Sequence, residues 1–553
     1  MKNRSLLRQV KNRGGIFLLI LVLLIQLLAL IYTGTQKDGL HIDEHYSFIL
    51  SNSFNADRIG NYPPVWNQWV SGDDFREFLT VEKGEQFAYG NVYKNNSTDA
   101  HPPLFYFLLH TVCSLFPGRW SAWMGMGMNF LLILLAQVAL YCLTRKLTGS
   151  ALWAVVPVAV YGGMQAFTDT AIFIRMYPLM TLLTVLLLSQ HYHLLTREKK
   201  LSPILFCGAL TFLGVFTHYY FAIPAFFMAA AGCFYLLASR KWKYLFAYAG
   251  AMLLGVILVF VIYPAGITQI TGSETNNVGK EVAANILNFS RLDNSLRAML
   301  KLLRTGILDG LRQHKTLAWT LTGITLGIAA VLGLLRCRKH SAGDPWKLPL
   351  IFTLLLTAVT ALSFVAISHI SSKFVNVRYL YSLFPLVALA LSLALWLVAS
   401  SLKLNKQVLA FGMIAIWLMG GLTVAWENRC TYLFRDRAVQ DNILVQQFRD
   451  RPLVILNNGT TYQPTTLLHV LLESDQLYMA DYRDMESMDS VLKQVDCTNG
   501  VLYIVLTDTY WSQGFDGDAV MTEITDQSHI LSSYERFGYT TFSTVYVAYP
   551  NHE

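Results

Sequence analysis

Charged side chains are scarce in this sequence. Only 14% of its 553 residues are Asp, Glu, Lys or Arg, whereas 54% are apolar, and the mean hydropathy is +0.40. This scarcity excludes an ordinary soluble enzyme. A lipid-spanning helix takes about 20 apolar residues, and runs of that kind recur from Ile16 to about Trp426. Most of the chain is therefore expected to be a polytopic membrane protein.

Cysteine is rare as well, and no two cysteines stand at a CxxC or metal-type spacing, so the sequence gives no support to a zinc or redox site. Four of the seven lie in apolar runs: Cys113, Cys142, Cys207 and Cys233. Cys430 and Cys497 can pair only if their compartment is oxidising, and whether they do stays open. The C-terminal part also lacks a glycine-rich phosphate loop, which argues against nucleotide binding.

The few charges are unevenly distributed. From Glu427 to Glu553 there are 8 Lys and Arg against 18 Asp and Glu, a net charge of −10, whereas residues 1–426 carry 35 against 17, a net charge of +18. The overall charge of +8 therefore gives no indication of a nucleic-acid partner. We predict a mainly α membrane domain over 1–426, whose basic excess lies in cytoplasmic loops, and a soluble α/β domain over 427–553.

Short β-rich runs alternate with helical stretches in the C-terminal domain, which is a βαβ pattern. The β-rich runs are LVIL, LYMA, VLYIVLT and TTFSTVYVAY, and the helical stretches are TTLLHVLL and MDSVLKQV. Two roles stay open for this domain: it gates or presents an acceptor over a membrane cavity, or it is a structural cap.

The membrane part contains twelve apolar runs. They are 16–33, 103–117, 121–144, 151–168, 171–194, 203–217, 221–238, 244–263, 316–335, 347–368, 379–399 and 407–426. If all twelve crossed, three basic clusters, at 145–146, 197–200 and 240–243, would lie outside, against the positive-inside rule. The run 103–117 is the best candidate for a segment that does not cross, because about 15 helical residues rise only about 22 Å against a core of about 30 Å.

With 103–117 as a re-entrant or juxtamembrane helix, about eleven transmembrane helices remain and every basic cluster falls in the cytoplasm. The run 16–33 is too long for a signal-peptide core and has no small-residue cleavage site after it, so we expect a retained helix. The N-terminus is then cytoplasmic in a multi-pass plasma membrane protein. Two large loops, 34–102 and 264–315, and the C-terminal domain are extracytoplasmic.

This topology brings the unusual polar residues near membrane boundaries to one outer face. Ionisable groups at such depths are expensive and usually mark a functional cavity. We therefore predict an outward-facing site, and its candidate residues are Asp43, Glu44, Asp99, His101, Arg119, Arg175, His218, Lys373 and Arg378.

Two of the candidate carboxylates, Asp43 and Glu44, follow the first span directly. Neighbouring side chains diverge on a helix or strand, so the two are expected to do different jobs rather than act as a dyad. Asp43 is the better candidate for a base that takes a proton from an acceptor hydroxyl. The alternative is a solvated juxtamembrane pair.

The segment DAHPPLFYFLL fixes Asp99 and His101 at headgroup level, because two prolines suit the first turn of a helix that enters the outer leaflet. His101 is a candidate ligand for a phosphate oxygen or a metal, and Asp99 a candidate second catalytic carboxylate. The alternative is that Asp99 caps the helix and His101 lies at the interface.

The basic candidates suit a phosphate. Arg175 and Arg378 each stand near a proline in an apolar run, and arginine offers a phosphate two donors while staying charged; otherwise they pair with carboxylates or extend to the headgroups. His218 either binds a phosphate or satisfies a buried turn. Arg119 and Lys373 are weaker candidates, because each lies close enough to water to be a solvated charge.

The strings DE after the first span, HPPL, RMY, THYY and RYL together resemble family 39 of the GT-C glycosyltransferases, which includes protein O-mannosyltransferases and lipid A aminoarabinose transferases. The resemblance covers most of residues 16 to about 400 and not the C-terminal domain. It implies a GT-C fold that holds a polyprenyl-phosphate sugar, with Asp43 as the base. By the same likeness, Arg175 and Arg378 bind the donor phosphate and His101 is a site residue.

This chain departs from some relatives at one position, because Ala100 and His101 stand where those relatives have a Glu-Lys pair. A lysine ligand for the phosphate is therefore absent. A divalent metal ion, present in some relatives, stays open as a cofactor, and no metal ligand is predicted.

These observations predict an inverting membrane glycosyltransferase that moves a hexosyl or pentosyl group from a polyprenyl-phosphate donor. The expected partners are that donor, membrane lipids, and a lipid, protein or glycan acceptor on the outer side. The alternative is another polyprenyl-phosphate enzyme, such as a polysaccharide polymerase or ligase. A secondary transporter is less favoured, because it would place charged residues near the bilayer midplane in two repeated halves.

Overall fold

The chain forms two compact units. The computed structural model describes residues 2–54, 58–196, 201–271, 284–285, 288, 292–308, 347–371, 376–435, 443–446, 449–457, 463–482, 488–506, 516–540 and 543–551. The first unit consists of Met1–Gln36, Asp99–Phe105 and Gly125–Tyr432, and the second of Lys37–Thr98, Tyr106–Met124 and Leu433–Glu553. The C-terminal segment therefore shares its unit with the loop that follows the first helix.

Helices build the first unit, because a long apolar run can satisfy its backbone groups in lipid only within a helix. Their bounds are Lys2–Thr35, Ala122–Thr148, Val155–Gly162, Gln165–Ile172, Tyr177–Thr196, Ser202–Val215, Ala222–Ala238, Trp242–Ile262, Ala265–Thr271, Leu292–Leu308, Lys347–Ile370, Phe384–Ser401 and Lys406–Trp426. Two 3-10 helices, Tyr219–Phe221 and Val377–Leu383, lead directly into the α-helices that follow them.

Eight helices in the described ranges are long and apolar enough to span a membrane, which confirms a multi-pass membrane protein. They are Arg13–Thr35, Ala122–Thr148, Tyr177–Thr196, Tyr219–Ala238, Trp242–Ile262, Leu348–Ile370, Val377–Ser401 and Lys406–Trp426. Of the other predicted spans, 203–217 forms a helix of only 14 residues and 316–335 lies outside the described residues. The segment 103–117 contains the eleven-residue helix Leu104–Ser114, which is too short to span, as predicted.

The prediction of one span over 151–168 is wrong. Two helices of eight residues, Val155–Gly162 and Gln165–Ile172, take its place. Met164 and Phe173 have extended backbones, with ψ of 143° and 113°, and these conformations interrupt the helical run on both sides of the second helix. The next helix begins only at Tyr177, so the predicted start at 171 is too early.

The second unit contains a six-stranded mixed sheet. Its strands are β1 (Trp69–Val70), β2 (Leu453–Asn457), β3 (Leu477–Asp481), β4 (Val501–Leu506), β5 (Leu531–Tyr539) and β6 (Ser543–Pro550), in the order β1-β3-β2-β4-β6-β5. β2 pairs in parallel with β3 and β4, and the other pairings are antiparallel. All residues of β2 and β4 are buried, which suits continuous apolar runs in the middle of a sheet.

The remaining elements of the second unit are short helices. The α-helices are Ile42–Asn52, Asp73–Arg76, Tyr89–Ser97, Leu104–Ser114, Leu468–Leu472, Met488–Leu492 and Gly517–Gln527, and the 3-10 helices are Ile59–Asn61, Pro63–Val65 and Gln463–Leu467. All four predicted strands and both predicted helices of the C-terminal domain are present. β1, β5 and the helix Gly517–Gln527 were not predicted. Cys430 and Cys497 are both free thiols.

Candidate active site

Three of the predicted site residues form a hydrogen-bonded chain in the first unit. The Nδ1 atom of His101 lies 2.9 Å from the Oδ2 atom of Asp99. The Nη2 atom of Arg175 approaches both ring nitrogens of His101 at 3.4 Å. Arg175 is only 4% exposed, so its guanidinium is a charge held away from bulk solvent beside a carboxylate and an imidazole.

Local geometry explains why His101 meets the turn that carries His218. His101 is followed by two prolines, which have no backbone N–H, and the first free amide after them, that of Leu104, donates to the Phe216 carbonyl at 3.2 Å. Two residues later, His218 caps the 3-10 helix Tyr219–Phe221 by accepting a hydrogen bond from the Tyr220 amide at 3.0 Å. The rings of His101 and His218 are consequently 5.5 Å apart.

The Nε2 atom of the His218 ring has no protein hydrogen-bond partner within the described ranges. Because Nδ1 accepts from the Tyr220 amide, the proton of the neutral imidazole is assigned to Nε2. His218 is 6% exposed, so this N–H is a buried donor without an acceptor, and such a group costs about 1–3 kcal/mol if nothing binds it. A ligand with an oxygen acceptor would satisfy it.

Burial also determines the protonation state of the His218 imidazole. His218 lies between the helix Ser202–Val215 and the span Tyr219–Ala238, and burial holds the pKa of its imidazole well below the usual range. Coulombic interactions with His101, Arg175 and Arg378 lower this pKa further. His218 is therefore neutral at pH 7, and the fixed positive charge of the cluster resides on the arginines.

Aromatic rings hold Arg378 in the same cluster. Its Cζ atom lies 5.9 Å from the Phe173 ring centroid and 5.4 Å from that of Tyr379. The Tyr379 ring in turn lies 5.3 Å from Tyr220, next to His218. A guanidinium over aromatic faces gains cation–π attraction, so these rings help to hold Arg378 in place.

We call the five residues Asp99, His101, Arg175, His218 and Arg378 the basic cluster. All five lie in the first unit. The cluster provides two guanidinium groups and an orphan imidazole N–H, with one carboxylate bonded to an imidazole. This combination can bind a partly desolvated anion such as a phosphate.

The other two candidate carboxylates lie in the second unit, at the start of the helix Ile42–Asn52. Glu44 is fully buried and completes a capping box with His41, and its Oε2 atom lies 3.0 Å from the Lys37 ammonium. Asp43 is one residue earlier, its side chain is 26% exposed, and its Oδ2 atom lies 3.6 Å from His41 Nδ1. The two carboxylates thus differ in environment, and the contacts of Glu44 are those of a structural residue.

The two weaker candidates receive little further support. Arg119 is exposed in the second unit, which suits a solvated charge, and Lys373 lies outside the described residues. In the part of the chain that the structure describes, no three His, Cys, Asp or Glu side chains are grouped so as to hold a metal ion.

Sequence reasoning missed one charged residue near the basic cluster. Asp169 is 2% exposed in the helix Gln165–Ile172, one helical turn before Phe173. Asp169 lies between two apolar runs of the sequence, 151–168 and 171–194, and belongs to neither. A lone carboxylate between two apolar runs is the signal that would have identified it.

Comparisons with known proteins agree with this architecture. The chain is similar to the crystal structure of ArnT from Cupriavidus metallidurans bound to undecaprenyl phosphate, with a TM-score of 0.53 at 15% identity over 96% of this chain and 97% of that one. The apo structure of the same ArnT gives 0.51 at 15% identity over 95% and 97%. A more distant similarity, with a TM-score of 0.42 at 10% identity, links 82% of the chain to 64% of the archaeal oligosaccharyltransferase AglB from Archaeoglobus fulgidus.

No protein-family model and no curated protein matches the sequence. The similarity in fold nevertheless extends over nearly the whole length of both chains. The chain therefore has a GT-C-type fold, the fold of the ArnT structures.

Proposed function

We propose that this protein is a membrane glycosyltransferase that transfers a sugar, with inversion, from a polyprenyl-phosphate donor to an acceptor on the outer side of the membrane. The basic cluster binds the donor phosphate. The second unit, which contains the C-terminal domain, is extracytoplasmic, and the N-terminus is cytoplasmic. The acceptor is a lipid, a protein or a glycan.

One observation carries the proposal: Arg175 and Arg378 come together with the orphan Nε2–H of His218 in a largely buried site. Two guanidinium groups and a buried donor without an acceptor provide contacts that a phosphate can satisfy. The GT-C fold adds support, because the ArnT structure with that fold was solved with undecaprenyl phosphate bound.

The proposed reaction is a single displacement at the anomeric carbon. The acceptor hydroxyl oxygen forms a bond to C1 of the sugar and loses its proton to the Asp43 carboxylate. The bond between C1 and the phosphate oxygen breaks, and its electron pair stays on that oxygen. Arg175 and Arg378 stabilise the charge that develops there, and the products are an inverted glycoside and the polyprenyl phosphate.

The carboxylates have different roles in this proposal. Asp43 is the base, an assignment that rests on the resemblance and is supported by its partial exposure. Asp99 orients His101 through their 2.9 Å contact, and so acts on the phosphate through the imidazole. Glu44 stabilises the start of the helix Ile42–Asn52 through its buried contacts and is not needed for the chemistry.

The test is an assay of the purified full-length protein against a panel of polyprenyl-phosphate sugars, with and without chelator, that measures donor consumption. We expect Asp43→Asn to lower turnover by at least about a hundredfold and to leave the dissociation constant for undecaprenyl phosphate unchanged. Arg378→Ala should raise that constant at least about tenfold, since it removes a charge-assisted contact. The matched control is Lys243→Ala, which removes an exposed positive charge elsewhere in the first unit.

Two results would contradict the proposal. Full turnover by Asp43→Asn would remove the base assignment. Wild-type protein that neither binds undecaprenyl phosphate nor consumes any donor would exclude the transferase, whereas donor consumption only with a growing glycan acceptor would identify a polymerase or ligase.

A further inference from the structure

The buried carboxylate of Asp169 has contacts that the proposed reaction does not use. Its Oδ1 atom accepts a hydrogen bond from the Thr431 amide at 2.8 Å, and its Oδ2 atom accepts one from the Thr431 hydroxyl at 2.8 Å. The Tyr381 hydroxyl and the Gln165 amide donate to Oδ2 at longer distances, 3.4 and 3.5 Å. We call these four residues the Asp169 clasp.

No Lys, Arg or His forms an ion pair with Asp169 in the described ranges, and the carboxylate is stabilised by neutral donors instead. Burying a carboxyl group in this way is expensive unless its oxygens are well hydrogen-bonded. The shortest bonds go to Thr431, in the segment that follows the last span Lys406–Trp426. The clasp therefore ties this segment to the helix Gln165–Ile172.

The residues beside the clasp belong to the surroundings of Arg378. Tyr432 follows Thr431, and its ring stacks on Phe173 with centroids 3.9 Å apart and planes 10° apart. Phe173 is also the ring over which the Arg378 guanidinium lies, at 5.9 Å. Through Thr431, the clasp thus fixes one of the rings that build the support for Arg378.

A second connection runs through the 3-10 helix Val377–Leu383, which contains both Arg378 and Tyr381. The Tyr381 hydroxyl donates to Asp169, and its ring packs edge-on against Tyr177 at 5.7 Å. Asp169 therefore contacts the element that carries Arg378 as well as the segment that completes the aromatic support beneath it.

We propose that Asp169 is a positioning residue of the donor-phosphate site: by holding Thr431 and Tyr381, it fixes the Phe173–Tyr432 stack and keeps Arg378 aligned for a polyprenyl phosphate. This inference rests on the proposed function, because it takes the ligand of Arg378 to be that phosphate. Asp169 does not touch the ligand, and its effect on binding is transmitted by Arg378.

The test uses the full-length protein in detergent and undecaprenyl phosphate itself as the probe. Thr431 is exposed, so it can be changed without overpacking a core. Thr431→Val removes the hydroxyl and keeps the shape, whereas Thr431→Ser keeps the hydroxyl. We expect Thr431→Val to raise the dissociation constant about tenfold, because a small misplacement of a binding group has effects of this order or larger, and Thr431→Ser to bind like the wild type.

Repeating Thr431→Val in an Arg378→Ala background, with the same measurement of the dissociation constant, separates a positioning role from a purely structural one. If the clasp acts through Arg378, Thr431→Val has no further effect there, since two changes in one chain of contacts are not additive. Asp169→Asn keeps one acceptor for the Thr431 amide and should weaken binding in the same Arg378-dependent manner.

The outcomes are distinguishable. Equal binding by wild type and Thr431→Val overturns the positioning role and leaves the proposed function intact. An equal loss in both backgrounds also overturns it, because the clasp then stabilises the fold in general. Failure of the wild type to bind undecaprenyl phosphate overturns the proposed function, and this inference with it.

Discussion

Neutralising Glu44 is expected to destabilise the second unit and to impair activity only through that loss of structure. Glu44 and Lys37 are 0% and 2% exposed, and their charged atoms lie 3.0 Å apart. Removing one member of a buried ion pair costs about 3–5 kcal/mol, because the other charge stays buried. Glu44→Gln isolates this effect, since glutamine still offers the His41 amide an oxygen in the capping box.

The neighbouring carboxylate provides the matched comparison. The side chain of Asp43 is 26% exposed, so Asp43→Asn should cost less than about 1 kcal/mol of stability while lowering turnover by at least about a hundredfold. The double variant Lys37→Met/Glu44→Gln removes both charges and keeps the cap. It should recover most of the stability lost in Glu44→Gln, because an ion pair replaced by neutral groups leaves no buried charge behind.

Hydrogen exchange measured by mass spectrometry on the full-length protein can test this, since exchange reports the free energy of local opening. A loss of 3 kcal/mol speeds exchange of the amides in Ile42–Asn52 by about a hundredfold or more. Exchange in Glu44→Gln at the wild-type rate would refute the buried ion pair. Exchange in the double variant as fast as in Glu44→Gln would show that the charge of Lys37 is not the cause.

Two further outcomes are expected. Burial lowers the pKa of His218 in the folded protein, whereas in the unfolded chain this imidazole has a pKa of about 6.5. As the pH is lowered through about 6.5, the unfolded state therefore binds the proton first. The free energy of unfolding then decreases by up to about 1.4 kcal/mol for each further pH unit. His218→Asn keeps an acceptor for the Tyr220 amide, and its melting temperature should fall less between pH 6.5 and 5; equal slopes would contradict a buried neutral imidazole. Gly163→Ala should lower the melting temperature, because its Cβ would lie 2.2 Å from the Trp417 carbonyl oxygen, an overpacking that costs about 1–3 kcal/mol. Gly250→Ala, with nothing within 4 Å of its Cβ, should be neutral or stabilising by about 0.5–1 kcal/mol, and equal melting of the two variants would refute the close packing.

The second unit shows which strands a sequence pattern can predict. β2 and β4 are buried along their whole length and appear in the sequence as continuous apolar runs. β5 is mostly exposed, and its sequence, LSSYERFGY, has no such run. β1 has only two residues, and its strand conformation depends on pairing with β3, which no local pattern can show.

The members of the basic cluster could be identified as candidates because ionisable residues at or inside apolar runs are unusual. His101, His218 and Arg378 border an apolar run and Arg175 stands within one, and the predicted order of the spans assigned all four to one face. The Asp169 clasp was not predictable in this way. Its partner Thr431 is 262 residues away, and the helix that carries Asp169 begins at Gln165, where the extended backbone of Met164 interrupts the predicted span 151–168.

The pairing of β1 with β3 also affects how the protein is made. Trp69 opposes Tyr478 across the sheet, and the two residues are about 400 positions apart in the chain. At a ribosomal rate of about 5–20 residues per second, the early strand waits about 20–80 s for its neighbour to be synthesised. During that interval the backbone groups of Trp69 and Val70 that pair with β3 in the finished sheet have no partner strand.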